Sequence, residues 1–206
     1  MTGPLRVAEQ VWVVSAEAGQ VTRSAHRADL LRASALPGWR AERFLAGRGL
    51  LRELLGTVRP ALAGAEITAD RHGRPRLADH PGLGVSVSHS DGAVAAGVAP
   101  GRDLGVDLQH PGASVSPSFA RRLLGVHADR LAGLPAARVA EEVAWVWTAQ
   151  ESCVKASGAG LAGRPWTIEV PPGARTGRWG DYRWVSLREH SPTPFSCAFR
   201  LGKGER

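Results

Sequence analysis

Cysteine, lysine and long apolar runs are scarce in this sequence, and each shortage excludes a class of protein. The only cysteines among the 206 residues are Cys153 and Cys197, far apart in the chain. Two thiols without a CxxC pair build neither a disulfide framework nor a zinc site, so we expect a reducing, cytoplasmic setting. No stretch approaches the roughly 18 apolar residues of a membrane span, and the first residues do not read as a secretory leader. We therefore expect no membrane partner.

Positive charge is in excess, and it restricts the partners without naming one. The net charge is +7, from 26 basic and 19 acidic residues, and Lys155 and Lys203 are the only lysines. A cationic surface attracts phosphate ligands, acidic proteins or nucleic acid. No helix-turn-helix, zinc or RNA-recognition signature is present, so we do not expect a nucleic acid partner. A basic nucleic-acid-binding or interaction module stays an alternative hypothesis.

Hydrophobic periodicity predicts an α+β chain. Strands are predicted over residues 5–15, 65–69, 84–88, 93–98, 104–108, 166–170, 179–187 and 195–201. Helices are predicted over residues 24–35, 39–56, 118–124 and 136–158. Turn residues between the strands from 84 to 108 predict an antiparallel meander there. The order of elements suggests two similar halves, which we place at residues 1–105 and 106–206.

The predicted helix over 39–56 carries arginines on one side and an apolar stripe on another. The arginines are Arg40, Arg43, Arg48 and Arg52. One interpretation is a solvated helix face. Because the same helix holds only two acids, Glu42 and Glu53, contact with phosphate is a competing interpretation.

Three segments carry polar side chains suited to phosphoryl transfer. They cover residues 85–90, a strand that runs into a polar turn, 104–109, an apolar strand, and 147–158 on the longest helix. The alternation of a strand places Asp107 and Gln109 on the same side. A buried carboxylate needs a cation or hydrogen-bond donors. Taken alone, Asp107 is better explained as a satisfied aspartate at a strand end.

The longest predicted helix adds Glu151 and Lys155, one turn apart and beside its apolar stripe. Taken alone, a Glu to Lys pair at this spacing is a surface pair worth about 0.2–0.5 kcal/mol. Phosphoryl transfer needs one or two carboxylates for Mg²⁺, cations for the phosphates and a base near the hydroxyl. Asp107 and Glu151 can supply the metal ligands, and Lys155, His89 and Ser88 or Ser90 the phosphate contacts.

These segments together resemble the 4′-phosphopantetheinyl transferases, in particular the longer, monomeric type that activates peptide and polyketide synthases. The motifs are S-V-S-H-S at 86–90, G-V-D-L-Q at 105–109 and W-T-A-Q-E-S-C-V-K-A-S-G-A-G-L at 147–161, with G-R-G-L-L-R at 47–52 and G-R-P at 73–75 in support. The resemblance runs from about residue 40 to about residue 165. It implies two pseudosymmetric halves, each a small antiparallel sheet packed with helices, and an active site in the cleft between them.

The resemblance also implies a reaction, which is transfer of the phosphopantetheine arm of coenzyme A to a serine of a carrier protein, with release of 3′,5′-ADP. Asp107 and Glu151 would hold Mg²⁺, for which Mn²⁺ can substitute, and Gln109 occupies the third metal position. Glu151, Asp107 and Lys155 would be the catalytic residues, with Glu151 as the candidate base.

Coenzyme A contacts follow from the same resemblance. Lys155 and His89 would contact phosphate oxygens. Arg48 and Arg74 would belong to the region that binds the adenosine 3′-phosphate end. The partner would be an acidic acyl or peptidyl carrier protein. Its docking rim is predicted around Arg121 and Arg122, with Arg130 and Arg138 nearby, and one chain with tandem halves predicts a monomer.

Two positions depart from the pattern of the family. Gln109 replaces its third acid, which removes one negative charge and should weaken metal binding. Gln150 replaces a lysine, and we expect this change to matter less, since that position would touch only a phosphate or the partner surface. An impaired or repurposed coenzyme A-binding relative is therefore the alternative within the enzyme class.

Overall fold

The computed structural model describes residues 3–202, without the side chain of residue 161. Strands within that range are β1 (Leu5–Ala8), β2 (Val11–Glu17), β3 (Ile67–Ala69), β4 (Pro75–Leu77), β5 (Leu83–Ser90), β6 (Ala93–Pro100), β7 (Leu104–Leu108), β8 (Thr176–Trp179), β9 (Tyr182–Ser186) and β10 (Phe195–Arg200). The α-helices are α1 (Arg27–Ala33), α2 (Gly38–Val58), α3 (Pro117–Leu124) and α4 (Ala136–Ser157). The mixture of helices and antiparallel sheet confirms the predicted α+β class. Among the described residues, none of these helices combines the length and apolar character of a membrane span.

Two four-stranded antiparallel sheets pack against each other between the two long helices. The first sheet has the order β1-β2-β6-β5 and the second β7-β10-β9-β8. Val11 and Val13 of the first sheet meet Phe195 and Phe199 of the second in a shared core. Leucines of α2 cover the other face of the first sheet, and valines of α4 cover that of the second. Burial of each such side chain contributes about 1.5–3 kcal/mol, so this layered packing dominates stability.

Three strands of each sheet share the same connectivity. β2 is followed by α2 and the β5–β6 hairpin, and β7 is followed by α4 and the β9–β10 hairpin. In each sheet the second hairpin strand lies between the first strand and its hairpin partner. This shared connectivity is consistent with two similar halves, while their pseudosymmetry and the division at 105/106 stay predictions. The first sheet ends at Pro100 and the second begins at Leu104.

Several sequence-based elements are wrong. Residues 5–15 form the β1–β2 hairpin instead of one strand, because Gln10 takes a φ of 56° and turns the chain. The predicted meander ends after β6, whose two edges are filled by β2 and β5, so β7 pairs with β10 instead. Residues 166–170 form no strand, and Ile168 and Val170 are buried against α4 and α3. β4 was missed because its proline and glycine neighbours predict a turn.

Candidate functional site

β7 lies where the two sheets and α4 meet. Gly105 faces α4, and a Cβ at this position would collide with the carbonyl oxygen of Ser152. Only glycine therefore allows the helix to lie directly against the strand. As a result, Glu151 and Lys155 of α4 lie beside Asp107 of β7.

Asp107 is buried and hydrogen-bonded on its Oδ1 atom. Lys155 Nζ donates to this oxygen at 2.6 Å, and Ser88 Oγ donates to it at 2.8 Å. Lys155 Nζ also donates to Ser88 Oγ at 3.1 Å and to the carbonyl oxygen of Val106 at 3.2 Å. The buried carboxylate thus has the cation and the donor that it needs. Lys155 of α4 therefore pairs with Asp107 of β7, and not with Glu151 in a surface pair along the helix.

Glu151 is half-buried, and its Oε1 atom is enclosed without a hydrogen-bond partner among the described residues. Burial raises the pKa of Glu151, and the neighbouring charge of Asp107 raises it further, while Lys155 opposes both effects. An unpartnered carboxylate oxygen beside a second carboxylate is an arrangement that a hard divalent cation would satisfy.

Gln109 follows Asp107 on the same side of the strand, beyond the end of β7. Its Nε2 atom donates to the carbonyl oxygen of His110 at 3.0 Å. Over residues 3–202, no group of three or more His, Cys, Asp or Glu side chains is arranged to hold a metal. The two carboxylates and the amide oxygen of Gln109 are all oxygen donors, so they fit Mg²⁺ by type, with one charge fewer than three acids would supply.

His89 points from β5 toward α2, away from Ser88. A Cβ at Gly47 would lie 3.3 Å from His89 Nε2, so this glycine makes room for the ring. Although His89 keeps exposed surface, the packing of its ring lowers its pKa to about 4, with Arg43 and Lys155 adding to the effect. His89 is therefore neutral at pH 7 and can offer a hydrogen bond, not a charge, to a ligand.

An open, cationic hollow lies on α2, next to His89 of β5. It has a volume of about 360 Å³ and is lined by Leu36, Trp39, Arg40, Arg43, Phe44 and His89. Trp39 is 63% exposed, with the guanidinium groups of Arg40 and Arg43 at 5.7 and 6.0 Å from its ring centroid. The sequence analysis singled out these arginines but not Trp39. The position of Trp39 directly after Pro37 and Gly38, at the start of the helix, was the signal that could have indicated an exposed ring.

The other two arginines of α2 are committed to the protein itself. Arg52 Nε donates to Asp29 Oδ2 at 2.8 Å. Arg48 lies 3.7 Å from Asp29 Oδ1 and donates to the carbonyl oxygen of Thr68 at 3.4 Å. Burial lowers the pKa of Arg48 to about 10. These contacts connect α2 to α1 and β3. The arginines of α2 thus divide into this structural pair and an exposed pair, of which Arg43 also donates to the carbonyl oxygen of His89 at 3.3 Å.

Arg74 lies beside the start of β7 and the end of α4. It donates to the carbonyl oxygen of Leu104 at 3.1 Å, and burial lowers its pKa. Its guanidinium also adjoins Gly158, the residue that ends α4. The structure thus brings Asp107, Glu151, Lys155 and Ser88 together, whereas Arg48 and Arg74 have their contacts at other places in the fold.

Comparison with known proteins finds one curated relative. The chain is 31% identical over 126 residues to the 4′-phosphopantetheinyl transferase HetI of Nostoc sp. (strain PCC 7120). This similarity supports a relationship to the 4′-phosphopantetheinyl transferase superfamily. The match covers 58% of this chain and 53% of HetI, so the chain spans about half the length of this curated relative. No protein-family model matches the chain.

The expectation that position 150 touches only a phosphate or the partner surface is wrong for Gln150. The side chain is fully buried. Its Nε2 atom donates to the carbonyl oxygens of Leu123 and Ile168, both at 2.9 Å. Gln150 therefore ties α4 to the end of α3 and to the segment after residue 165, and it touches neither a phosphate site nor the protein surface.

A second hollow adjoins Gln109 on the other side of the site. It has a volume of about 330 Å³ and is lined mainly by apolar side chains, among them Val115, Phe119, Val143 and Trp147. Phe119 lies on α3 and is 44% exposed. A wider hollow of about 750 Å³ lies at the start of β5, lined by residues 58–62 and 79–83, away from the predicted site residues.

Proposed function

We propose that this protein transfers the 4′-phosphopantetheine arm of coenzyme A to a serine of a carrier protein in a Mg²⁺-dependent reaction. The observation that carries the proposal is the pair of carboxylates at the contact of β7 and α4. Asp107 and Glu151 lie together there, and Glu151 Oε1 is buried without a partner. The relationship to HetI supports phosphopantetheinyl transfer in general.

The carboxylates and Gln109 form the proposed metal site. Asp107 and Glu151 would hold Mg²⁺, or Mn²⁺ in its place, and the amide oxygen of Gln109 would complete the set directly or through water. Bound there, the cation would neutralise the diphosphate of coenzyme A and stabilise charge on the phosphoryl group under attack.

Glu151 is the proposed base. The hydroxyl oxygen of the carrier serine attacks the phosphorus that bears the pantetheine arm, and the bond from this phosphorus to the bridging oxygen breaks. The electron pair leaves with 3′,5′-ADP, and the serine proton passes to Glu151 directly or through a water. A raised pKa makes Glu151 a stronger base than an ordinary glutamate. Gln109 cannot take this role, because an amide is not a base.

Lys155 and His89 are the proposed phosphate contacts carried over from the resemblance. In the structure the ammonium of Lys155 serves as the counter-ion of Asp107. If Asp107 held a divalent cation, the ammonium of Lys155 would be available to pair with a phosphate oxygen. The hydroxyl of Ser88 bonds to both Asp107 and Lys155, so it would also be available to a phosphate oxygen.

The adenosine 3′-phosphate needs further cations, for which we keep Arg48 and Arg74 as candidates. To these we add Arg40 and Arg43, because their guanidinium groups are exposed and border the hollow beside His89. The exposed face of Trp39 gives the same hollow a surface for the adenine ring.

An acidic carrier protein is the proposed partner, docking near α3. Arg121, Arg122 and Arg130 are all exposed, and Arg138 forms an ion pair with Glu141. The apolar hollow is lined by both Gln109 and Phe119 of α3, so a carrier protein docked on α3 would present its serine on the side of Gln109. We further propose that the protein works as a cytoplasmic monomer, since one chain would supply both sides of the cleft between the halves.

One observation favours a second candidate, an impaired relative that binds coenzyme A and transfers slowly. With Gln109 in place of an acid, the described residues contain no cluster of three metal-ligating acids or imidazoles. Weak binding of Mg²⁺ would then limit the rate.

Release of 3′,5′-ADP tests the proposed function against this alternative. We would incubate the protein with coenzyme A, Mg²⁺ and an apo carrier protein, and quantify 3′,5′-ADP by chromatography with and without EDTA. Release that requires both carrier and metal supports transfer. Coenzyme A binding without release, restored by Gln109→Glu, would support the impaired relative. Absence of both binding and release would contradict both candidates.

A further inference from the structure

Serine side chains of β5 take the place of a neighbouring strand along one edge of β7. Each hydroxyl oxygen accepts a hydrogen bond from a backbone N–H group of β7 or of the residues that follow it. The bonds are Val106 N to Ser86 Oγ at 3.0 Å, Leu108 N to Ser88 Oγ at 3.3 Å and His110 N to Ser90 Oγ at 3.0 Å. We call this set the serine ladder.

The serine ladder supplies hydrogen-bond acceptors to β7, which is an edge strand of its sheet. β10 occupies one side of β7, so the N–H groups on the other side are buried and need acceptors. Every second residue of β5 from Ser86 to Ser90 is a serine that faces β7, and every second N–H group from Val106 to His110 points toward β5, so the two sets match. Gly84 continues this face, and a Cβ there would collide with the carbonyl oxygen of Arg102, so the two strands lie close together.

The ladder brackets the residues of the proposed metal site. The anchored amides of Val106 and Leu108 lie on either side of Asp107. Those of Leu108 and His110 lie on either side of Gln109. On its other face, β7 touches α4 at Gly105, so the position of β7 between β5 and α4 sets the separation of Asp107 from Glu151.

From this arrangement we propose that Ser86 and Ser90 are positioning residues for the metal site, an inference that rests on the proposed function. Their side chains are almost fully buried and bond to backbone, so they act through β7 and not by touching substrate. Without these acceptors, β7 would shift from β5 to find other partners for its amides. The carboxylate of Asp107 would then leave its register with Glu151, and the affinity for a divalent cation would fall.

The test measures Mn²⁺ affinity by electron paramagnetic resonance, with Mn²⁺ as the probe of the Mg²⁺ site. The variants are Ser86→Ala, Ser90→Ala and the double variant, each checked by thermal unfolding. Since loss of groups that orient metal ligands typically costs 10–100-fold, we expect about tenfold weaker Mn²⁺ binding in the double variant. Coenzyme A affinity measured in EDTA should be unchanged.

Three controls separate positioning from general loss of structure. Ser86→Cys keeps the side-chain size but is a weak acceptor, so it should behave like Ser86→Ala. Ser90→Thr keeps the hydroxyl and should retain Mn²⁺ affinity. Ser191→Ala removes a similarly buried hydroxyl that bonds to Thr193 O within its own loop, and it should also retain affinity.

The outcomes distinguish this inference from the proposed function. Mn²⁺ binding by the wild type with unchanged affinity in the folded serine variants would overturn the serine ladder's role while leaving the function in place. An equal loss in Ser191→Ala would also overturn it, because the effect would then follow stability. A wild type that binds no Mn²⁺ would overturn the proposed metal site and this inference together.

Discussion

At the scale of single residues, the proposed site holds the carboxylates of Asp107 and Glu151 and the ammonium group of Lys155, which leaves one negative charge without a counter-ion among these three. Asp107 uses Lys155 as its counter-ion, whereas Glu151 has an enclosed oxygen without a partner. Such a group costs folding free energy, which is a common feature of sites built to bind a ligand.

Glu151 is therefore expected to lower stability at neutral pH. A carboxyl whose pKa is raised in the folded state stabilises the protein below its unfolded pKa, and this contribution is lost as the pH rises through the folded value. Because the pKa of Glu151 is raised by burial and Asp107, Glu151→Gln should increase the melting temperature of the metal-free protein at pH 7. The increase should disappear near pH 4. A melting temperature that falls at pH 7 would contradict the assignment.

His89 gives a second residue-scale prediction, based on its pKa of about 4. A phosphate placed against the ring would raise that pKa, so coenzyme A binding near pH 5.5 should take up protons. Calorimetry in two buffers of different ionisation enthalpy measures this uptake. We expect it in the wild type and not in His89→Gln. Equal uptake in both proteins would remove His89 from the phosphate contacts.

The two glutamines that depart from the family pattern should respond in opposite ways when the pattern is restored. Gln109→Glu adds a carboxylate beside Asp107 and should tighten Mg²⁺ binding, measured by calorimetry. Gln150→Lys buries a cation among backbone carbonyls and should destabilise the protein by about 3 kcal/mol or more, measured by urea unfolding. A stable Gln150→Lys variant would show that α4 can shift to expose this position.

At the scale of elements, the contact of α4 with β7 depends on the absence of a side chain at Gly105. Gly105→Ala should push the helix away and separate Glu151 from Asp107. We expect a stability loss of about 1–3 kcal/mol, as for overpacked cores, together with a larger fall in transfer rate than in coenzyme A affinity. Gly64→Ala is the matched control, since a Cβ there meets nothing within 4 Å. Full activity in Gly105→Ala would contradict this account of the helix position.

Elements also show how far sequence reasoning extends. The bounds of β7 were predicted correctly and those of α4 to within one residue, because strong periodicity and clear turn residues mark both. The pairing of β7 with β10 was not predicted, since it depends on which edges β6 has left free. The burial of Gln150 was missed for a similar reason, because only tertiary packing decides whether a polar residue inside an apolar stripe finds partners.

At the scale of the whole molecule, the net charge of +7 has a proposed use in attracting an acidic carrier. The motifs predicted that Asp107, Glu151 and Lys155 act together, and the fold pairs Lys155 with Asp107 and places Glu151 near both. The motifs did not reveal the hollow beside His89, because Trp39 and Arg43 come close to His89 only through the packing of α2 on β5.

Carrier recognition is tested by reversing charge on α3. Arg121→Glu with Arg122→Glu should raise the KM for the carrier, more at low than at high salt, and leave coenzyme A affinity unchanged. Arg122 also packs on the ring of Trp166 at 4.0 Å, so Arg121→Glu alone is the cleaner variant. Arg59→Glu on the far end of α2 is the matched control. An unchanged KM in the double variant would place the docking surface elsewhere.

The central claim is that two carboxylates from β7 and α4 direct phosphopantetheine onto a carrier serine. Intact-mass analysis of an apo carrier after incubation with coenzyme A, Mg²⁺ and this protein tests it most directly, with Glu151→Ala alongside. We predict a mass gain of one phosphopantetheine arm with the wild type, and a rate lower by about 10²–10⁴-fold in the variant. A carrier that gains no mass with the wild type, or gains it equally fast with Glu151→Ala, would contradict the account.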